Sequence, residues 1–434
     1  MDRVHALQSQ WVNLPQPRKM KALRIIAAVC YAIALFFLVI FTFGGTTTAS
    51  RTPEAAVIFT EATPGGIAAL RYLSLRRDVN IAAVVIAINA WNVNVNAAHD
   101  NIRAFLAAMR EEKTLHYDVP VYYGNSLAQV NAHFLDDIAY TTDTNPSTGE
   151  RNMNTTSCTY RRVLSPDILM DADRLFGGAE LLDTVQISAP TSSSSKDSKN
   201  KNSKISQLEF FEEPLSSYLV QNTATFLVLG PATDAAWFLQ RHSEHRNHVN
   251  SIFFAAGALT SDTDLRFVYP PNRRAEQHAF FDPHAANYIV SGAHRIPVEM
   301  LPLDATPQWP KDLYDSYVTS RASLSSTSSS KVPVSAQVVA RAIEGYSRRL
   351  RTDVPLPVAV TAAAYFADIH VRDKATVAEI PILVANGVSM ATDGTVGTPS
   401  KTQQHSEVFK VKVIMHLQEA TFWKRFEAVD NLGK

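Results

Sequence analysis

VIFTEATPGGIAALRYL, residues 57–73, decides how this chain folds. Val57–Phe59 is a short apolar run, Pro64-Gly65 a turn, and beyond it small and apolar residues recur at helical spacing as far as about Leu75. A strand that hands over directly to a helix is the opening unit of an α/β sheet, and functional side chains gather on the turn between them. Such turns usually carry acidic groups, yet the only carboxylate here is Glu61.

The same alternation continues outward. Ile81–Ile88 (IAAVVIAI) is an unbroken apolar run of strand length, as a strand covered on both faces requires. Ile102, Phe105, Leu106 and Met109 follow at helical spacing, and VPVYYG (119–124) reads as a third strand. TFLVLG (225–230) leads into a helix through Phe238, and SIFFAAG (251–257), IPVEMLPL (296–303) and FKVKVIMHL (409–417) read as further strands. Repeated βα units predict a largely parallel sheet flanked by helices. The Ser/Lys-rich stretches 189–206 and 320–335 have almost no apolar residues and read as surface insertions rather than boundaries. The expected organisation is an N-terminal arm (1–21), a membrane-spanning helix (22–45) and one α/β domain (55–430), with insertions near 126–216 and 318–335.

The span rests on nineteen residues, Ile25–Phe43, that carry no charge. As a helix they are about 28 Å long, close to the ~30 Å hydrocarbon core of a bilayer. Ile25, Val29, Leu35, Phe37, Ile40 and Phe43 would lie within the membrane span, with Arg18, Lys19, Lys21 and Arg24 before them and Arg51 the next basic residue. That asymmetry keeps the short N-terminus on the cytosolic or matrix side and the bulk on the other. The run is longer than a cleaved signal core of ~7–15 residues. The 434 residues carry 41 basic and 41 acidic side chains, so no global charge draws the chain to nucleic acid. With Cys30 in the apolar run, Cys158 alone remains in the body, and no internal disulfide can form there.

The order of elements, with several local matches, resembles the inosine-uridine nucleoside hydrolase family. VIFTEATPGGIAAL lines up with that family's D-x-D-P-G-x-D-D-A turn, and AINAWNVNVNAAHDNIRAFL with its strand-end and helical Asn, here Asn92 and Asn101. LGPATDAAWFL (229–239), AEQHAFFDPHAANYIV (275–290) and EATFWKRFEAV (419–429) are similar to its G-P-L-T-N, A-E-F-N and terminal F-W segments. The resemblance implies an oxygen-rich calcium site that holds the ribose diol and an attacking water. The four acidic positions of the opening motif are occupied by Glu61, Thr63, Ile67 and Ala68. Thr63 stands where the metal-binding general base belongs, and Ile67 where an aspartate grips the ribose. PVAVTAAAY (357–365) places Val358 and Ala359 at a His-Asp pair, and His278 replaces the Asn after Glu276.

Losing a general base costs typically ~10²–10⁴ in rate, and losing the metal's carboxylates removes the activating cation as well. An unpaired buried hydroxyl against Ile67 costs ~1–3 kcal/mol more. This reasoning predicts a chain that is no enzyme: Glu61, Thr63, Ile67, Asn92, Glu276, His278 and Ala359 line a vestigial pocket, with no metal, no cofactor and no small-molecule ligand. The histidines of RHSEHRNHV (241–249) read as a solvated loop, and the Asp282-Pro283 pair as a helix cap.

The expected role is an accessory subunit of a membrane assembly, bound to the bilayer through one helix and to other protein subunits. The leader has no acidic residue beyond Asp2, which favours the mitochondrial inner membrane, with the body in the intermembrane space and a respiratory or ATP synthase complex as host. Two alternatives stand beside it: a membrane-anchored nucleoside hydrolase with a rebuilt site, and a non-hydrolytic nucleoside- or ribose-binding module.

Overall fold

Helices cover both faces of the sheet, so its strands carry apolar residues at consecutive positions. In the computed structural model β1 (Glu54–Thr60), β2 (Val79–Ile86), β3 (Val121–Tyr123), β4 (Ala224–Val228), β5 (Val249–Ala255) and β6 (Val298–Leu301) run parallel. Alternate side chains serve opposite layers. Ile58, Leu227 and Phe253 enter one core, while Val57, Phe59, Phe226 and Phe254 enter the other. The described residues are 54–87, 95–124, 185, 210–259, 276, 278–279, 282–322, 332–350, 358–386, 392–397 and 409–431.

The first layer holds α1 (Pro64–Ser74) and α2 (Val95–Glu111). The opposite layer holds α3 (Glu212–Gln221), α4 (Thr233–Arg241) and α5 (Pro283–Ser291). The chain then returns to the first layer with α6 (Lys311–Ala322), α7 (Val334–Leu350) and α8 (Val358–Ala367). After the short α9 (Ile369–Asp373) come β7 (Thr376–Ile380), a hairpin of β8 (Leu383–Asn386) and β9 (Thr392–Gly397), β10 (Val411–His416) and α10 (Glu419–Asn431). The eight-stranded order is β3-β2-β1-β4-β5-β6-β10-β7, with β7 antiparallel to β10 at the edge. The largely parallel sheet flanked by helices is therefore as expected from the sequence.

Every residue of α1 is buried, and so is every residue of α8 beside it. Small side chains, among them Gly66, Ala68 and Ala69 facing a helix rich in alanine, let two fully covered helices share the layer. Strands β2 and β3 lie on one side of β1, and β4 to β6 on the other, so strand order reverses between β1 and β4. In open α/β sheets the crevice outside the strand ends at such a point is where ligands bind.

The chain divides into Met1–Thr52 and Pro53–Lys434, and the described residues all lie in the second part. The arm, the apolar run 25–43 and Asn92 fall outside the described residues. Among the described residues no helix is long and apolar enough to cross a membrane. Of the stretch 318–335 expected as an insertion, residues 323–331 fall outside the described residues. α6 continues to Ala322, and Ser335, at the start of α7, is fully buried with its N–H donating to Glu112 Oε1 at 2.8 Å. Phe211 likewise belongs to the core, inside the stretch 126–216 read as insertion.

Gly292 ends α5 with φ +70°, the left-handed region glycine favours, and an added Cβ would lie 2.1 Å from Phe409 Cγ. Gly292→Ala is expected to lower stability by about 2 kcal/mol, from strain and overpacking together. A shift of the urea midpoint with unchanged slope would check this.

Candidate functional site

The turn after β1 is built mainly as a helix start. Thr63 is the N-cap of α1, its hydroxyl accepting the Gly66 N–H at 3.2 Å, and Pro64 follows where a missing N–H is harmless. An added Cβ on Gly66 would lie 2.2 Å from the Glu61 carbonyl oxygen, so only glycine lets the helix begin this close to the strand end. Ile67 and Ala68, from the first turn, are core residues at 1% and 5% exposure. Ala359 packs in the same core from α8.

Glu61 is the exception. It is buried, at 1% exposure, directly after β1 at the strand-order reversal. Its Oε2 lies 3.9 Å from His278 Nε2. The other imidazole nitrogen, Nδ1, is 2.8 Å from the carbonyl oxygen of Ala255, the last residue of β5. That carbonyl can only accept, so Nδ1 carries a proton and Nε2 is the nitrogen turned toward Glu61. Glu276 closes the group. Its Oε1 lies 3.5 Å from His278 Nδ1, and its Oε2 accepts the N–H groups of Gly257 and His278, both at 3.0 Å, and of Ala279 at 3.4 Å.

Burial by itself disfavours a charged His278, but the carboxylates of Glu276 and Glu61, helped by the Ala255 carbonyl, outweigh it and raise the imidazole above its ordinary value. A buried imidazolium between two carboxylates is thus favoured to higher pH than in a free histidine. Such a group can deliver a proton at one end and have it replaced through the pair.

Thr233 and Asp282 form a separate contact. Asp282 caps α5 by accepting the Ala285 N–H at 2.9 Å, and its Oδ2 accepts the Thr233 hydroxyl at 2.7 Å, tying α4 to α5. Burial pushes this carboxyl up. The Asp-Pro pair is a cap, as its sequence context suggests.

Of the residues singled out from sequence, the fold joins Glu61, Glu276 and His278. Thr63 is committed to its cap, while Ile67 and Ala359 are packing residues. A calcium ion of the expected kind needs ~6–8 oxygen ligands. Among the described residues at this strand end, the opening turn supplies one carboxylate, already facing an imidazole inclined to be charged, and three of Glu276's contacts are backbone N–H groups. These residues do not fit such an ion.

Residues 64–424 match the profile of the family described as inosine-uridine preferring nucleoside hydrolase. Among solved structures the chain is similar to the inosine-uridine preferring nucleoside hydrolase of Bacillus anthracis, with 16% identity, a TM-score of 0.56, and 88% of this chain and 99% of that one covered. It is similar also to a purine-preferring ribonucleoside hydrolase from Gardnerella vaginalis (17% identity, TM-score 0.56, 88% and 99% covered). A plant nucleoside hydrolase gives 15% identity and a TM-score of 0.55, with 87% and 98% covered. No curated protein sequence matches the chain. The family match overturns the expectation that the chain is no enzyme. That expectation counted the carboxylates missing from the opening turn, and counting by position could not register the buried contacts among Glu61, Glu276 and His278.

Proposed function

This chain belongs to the inosine-uridine preferring nucleoside hydrolase family, and on that premise we propose that it hydrolyses the N-glycosidic bond of a ribonucleoside through a site rebuilt around Glu61 and His278. The observation that carries the reading is the buried Glu61–His278–Glu276 trio outside the ends of β1 and β5. Hydrolysis forms a bond from water oxygen to the anomeric carbon while the carbon–nitrogen bond breaks, its electron pair leaving with the base. Water must lose a proton and the departing nitrogen must gain one. The carboxylate of Glu61 is the acceptor, and the His278 imidazolium, held by both glutamates, is the donor. Glu276, anchored by three backbone N–H groups, fixes the ring. Calcium does not fit this donor set, and no step is assigned to it.

The test is ribose release by the purified full chain, solubilised in mild detergent, from inosine, uridine, adenosine and cytidine. Release that continues in excess calcium chelator is the expected result. Absence of turnover with all four nucleosides overturns the proposal.

The proposal includes a location. The charge-free run 25–43 behind four basic residues supports a single-pass anchor, and the leader supports the mitochondrial inner membrane with the body in the intermembrane space. We also propose that the chain belongs to a larger membrane assembly, such as a respiratory or ATP synthase complex. Extraction in mild detergent is expected to bring the chain out in a large stoichiometric complex. Recovery as a monomer in the aqueous fraction of intact organelles would refute anchor and assembly together.

A further inference from the structure

At the end of the sheet opposite Glu61, the histidines of residues 241–249 form a structured cluster. A 3₁₀ helix, Ser243–His248, joins α4 to β5. β5 is seven residues long, so its start lies about 20 Å from Ala255 and the trio above it. Each turn of a 3₁₀ helix takes three residues, which sets His242 and His245 on one face. His242, Glu244 and His245 each turn one ligand atom inward, and these atoms lie within 4.8 Å of one another.

The imidazoles are held in place. Both stack on Phe238, with ring centroids 4.8 Å and 6.2 Å away. His242 Nε2 lies 3.4 Å from Glu212 Oε2, while Glu212 Oε1 accepts the Trp237 indole N–H at 3.0 Å. His242 Nδ1 faces Glu244 Oε1 at 3.4 Å and the Ser216 hydroxyl at 3.3 Å, a contact the ion would replace, and His245 Nε2 faces the same Glu244 oxygen at 4.0 Å. A carboxylate behind the ring of a ligating histidine is the usual device for fixing its tautomer and raising its basicity. Arg241 lies over the Trp237 ring with its Nε 3.8 Å from Glu212 Oε2, so it shares with His242 the oxygen that faces the ring, while Arg246 donates to the Leu239 carbonyl and the Tyr288 hydroxyl.

We propose that His242, Glu244 and His245 form a zinc site, with Glu212 orienting His242 and water completing the coordination. Two imidazoles and one carboxylate are a borderline donor set that suits zinc rather than calcium or magnesium. Zinc bonds of ~2.0–2.1 Å place tetrahedral ligands about 3.3 Å apart. Rotation of Glu244, whose side chain is 62% exposed, shortens its own two contacts, and the two imidazoles, within 4.8 Å of each other, draw together as the ion binds. Bound zinc would clip α3, the end of α4 and the turn into β5. Without it the cluster is a set of exposed ion pairs of the kind that adds little to stability.

The test is zinc titration of the full chain after chelator treatment, read by competition with a chromophoric chelator. One zinc per chain at micromolar affinity or tighter is expected, with cobalt giving tetrahedral d–d bands at the same stoichiometry. H242A/H245A abolishes the site. E244Q, at an exposed position that leaves folding intact, weakens it at least tenfold, and E212Q weakens it ~10–100-fold. Affinity falls as pH drops through the imidazole range, because protons compete for both rings. Zinc binding unchanged in H242A/H245A, lost in H278N, or not saturable at all would overturn the assignment.

Discussion

Asp368→Ala is expected to lower unfolding free energy by about 3 kcal/mol. Asp368 is fully buried between α8 and α9. Its Oδ2 takes charge-assisted bonds from Arg76 Nη1 at 2.9 Å and Arg425 Nε at 2.8 Å, and its Oδ1 accepts the His370 N–H at 2.9 Å as the cap of α9. One carboxylate thus joins the α1–β2 turn, the α8–α9 junction and α10. Removing one partner of a buried pair typically costs ~3–5 kcal/mol, because the remaining charge is left desolvated. Arg425 is 35% exposed and can regain water, which sets the loss at the lower end of that range. Exposed Asp373, a few residues on, is the control, with Asp373→Asn expected to change stability by no more than ~0.5 kcal/mol.

The same group makes an acid-sensitive contribution. Burial alone would raise the Asp368 carboxyl, but the Arg425 hydrogen bond and the Arg76 and Arg425 charges outweigh it and hold the carboxyl below its ordinary range. A folded value below the unfolded one means the stabilisation is complete above the unfolded carboxylate value of ~3.9. It drains away as pH falls through the folded value. Urea unfolding of the parent chain and Asp368→Ala should therefore diverge near neutrality and converge toward strong acid. A constant difference across that window would place the loss in packing instead.

Seven of the strands could be read in the sequence because burial on both faces leaves apolar residues at consecutive positions, as in IAAVVIAI. β7 (TVAEI) could not, since it is a half-exposed edge strand with no clean alternation, and β8 and β9 are equally short and irregular. α8 offers no periodicity at all: VAVTAAAYFA is buried on every side, so no polar face marks it as a helix, and only the likeness to a known order of elements pointed there. The site divides in the same way. Thr63, Ile67 and Ala359 could be singled out in the sequence, because each stands where the resemblance leads one to expect a polar group. That Glu61 and His278 share a pocket followed from the resemblance, but the ring nitrogen turned toward Glu61 did not, because it depends on the Ala255 carbonyl at the end of β5, which fixes the ring. AEQH records a glutamate and a histidine two positions apart, but not which strand end they close over.

His278→Asn is expected to reduce ribose release by about 10²–10⁴ in kcat, and Glu61→Gln by a similar factor, the span typical of losing one general acid or base. Both replacements are near-isosteric, so the loss should come with intact folding. The sign of the pH effect separates a chemical role from a structural one. With its value raised by Glu276 and Glu61, His278 is protonated below that raised value and loses its proton as pH climbs through it. Any stability it contributes is complete below the unfolded histidine value of ~6.5 and disappears over the same rise. As proton donor, it gives the parent chain an alkaline limb in kcat/KM above the ordinary histidine value, and His278→Asn removes that limb while leaving the residual rate flat. Glu61→Gln takes away one of the two carboxylates that raise the imidazole, so whatever turnover remains should show its alkaline limb at lower pH. If both variants stay within tenfold of the parent and keep its pH profile, the trio is a buried structural cluster and the acid–base assignment fails.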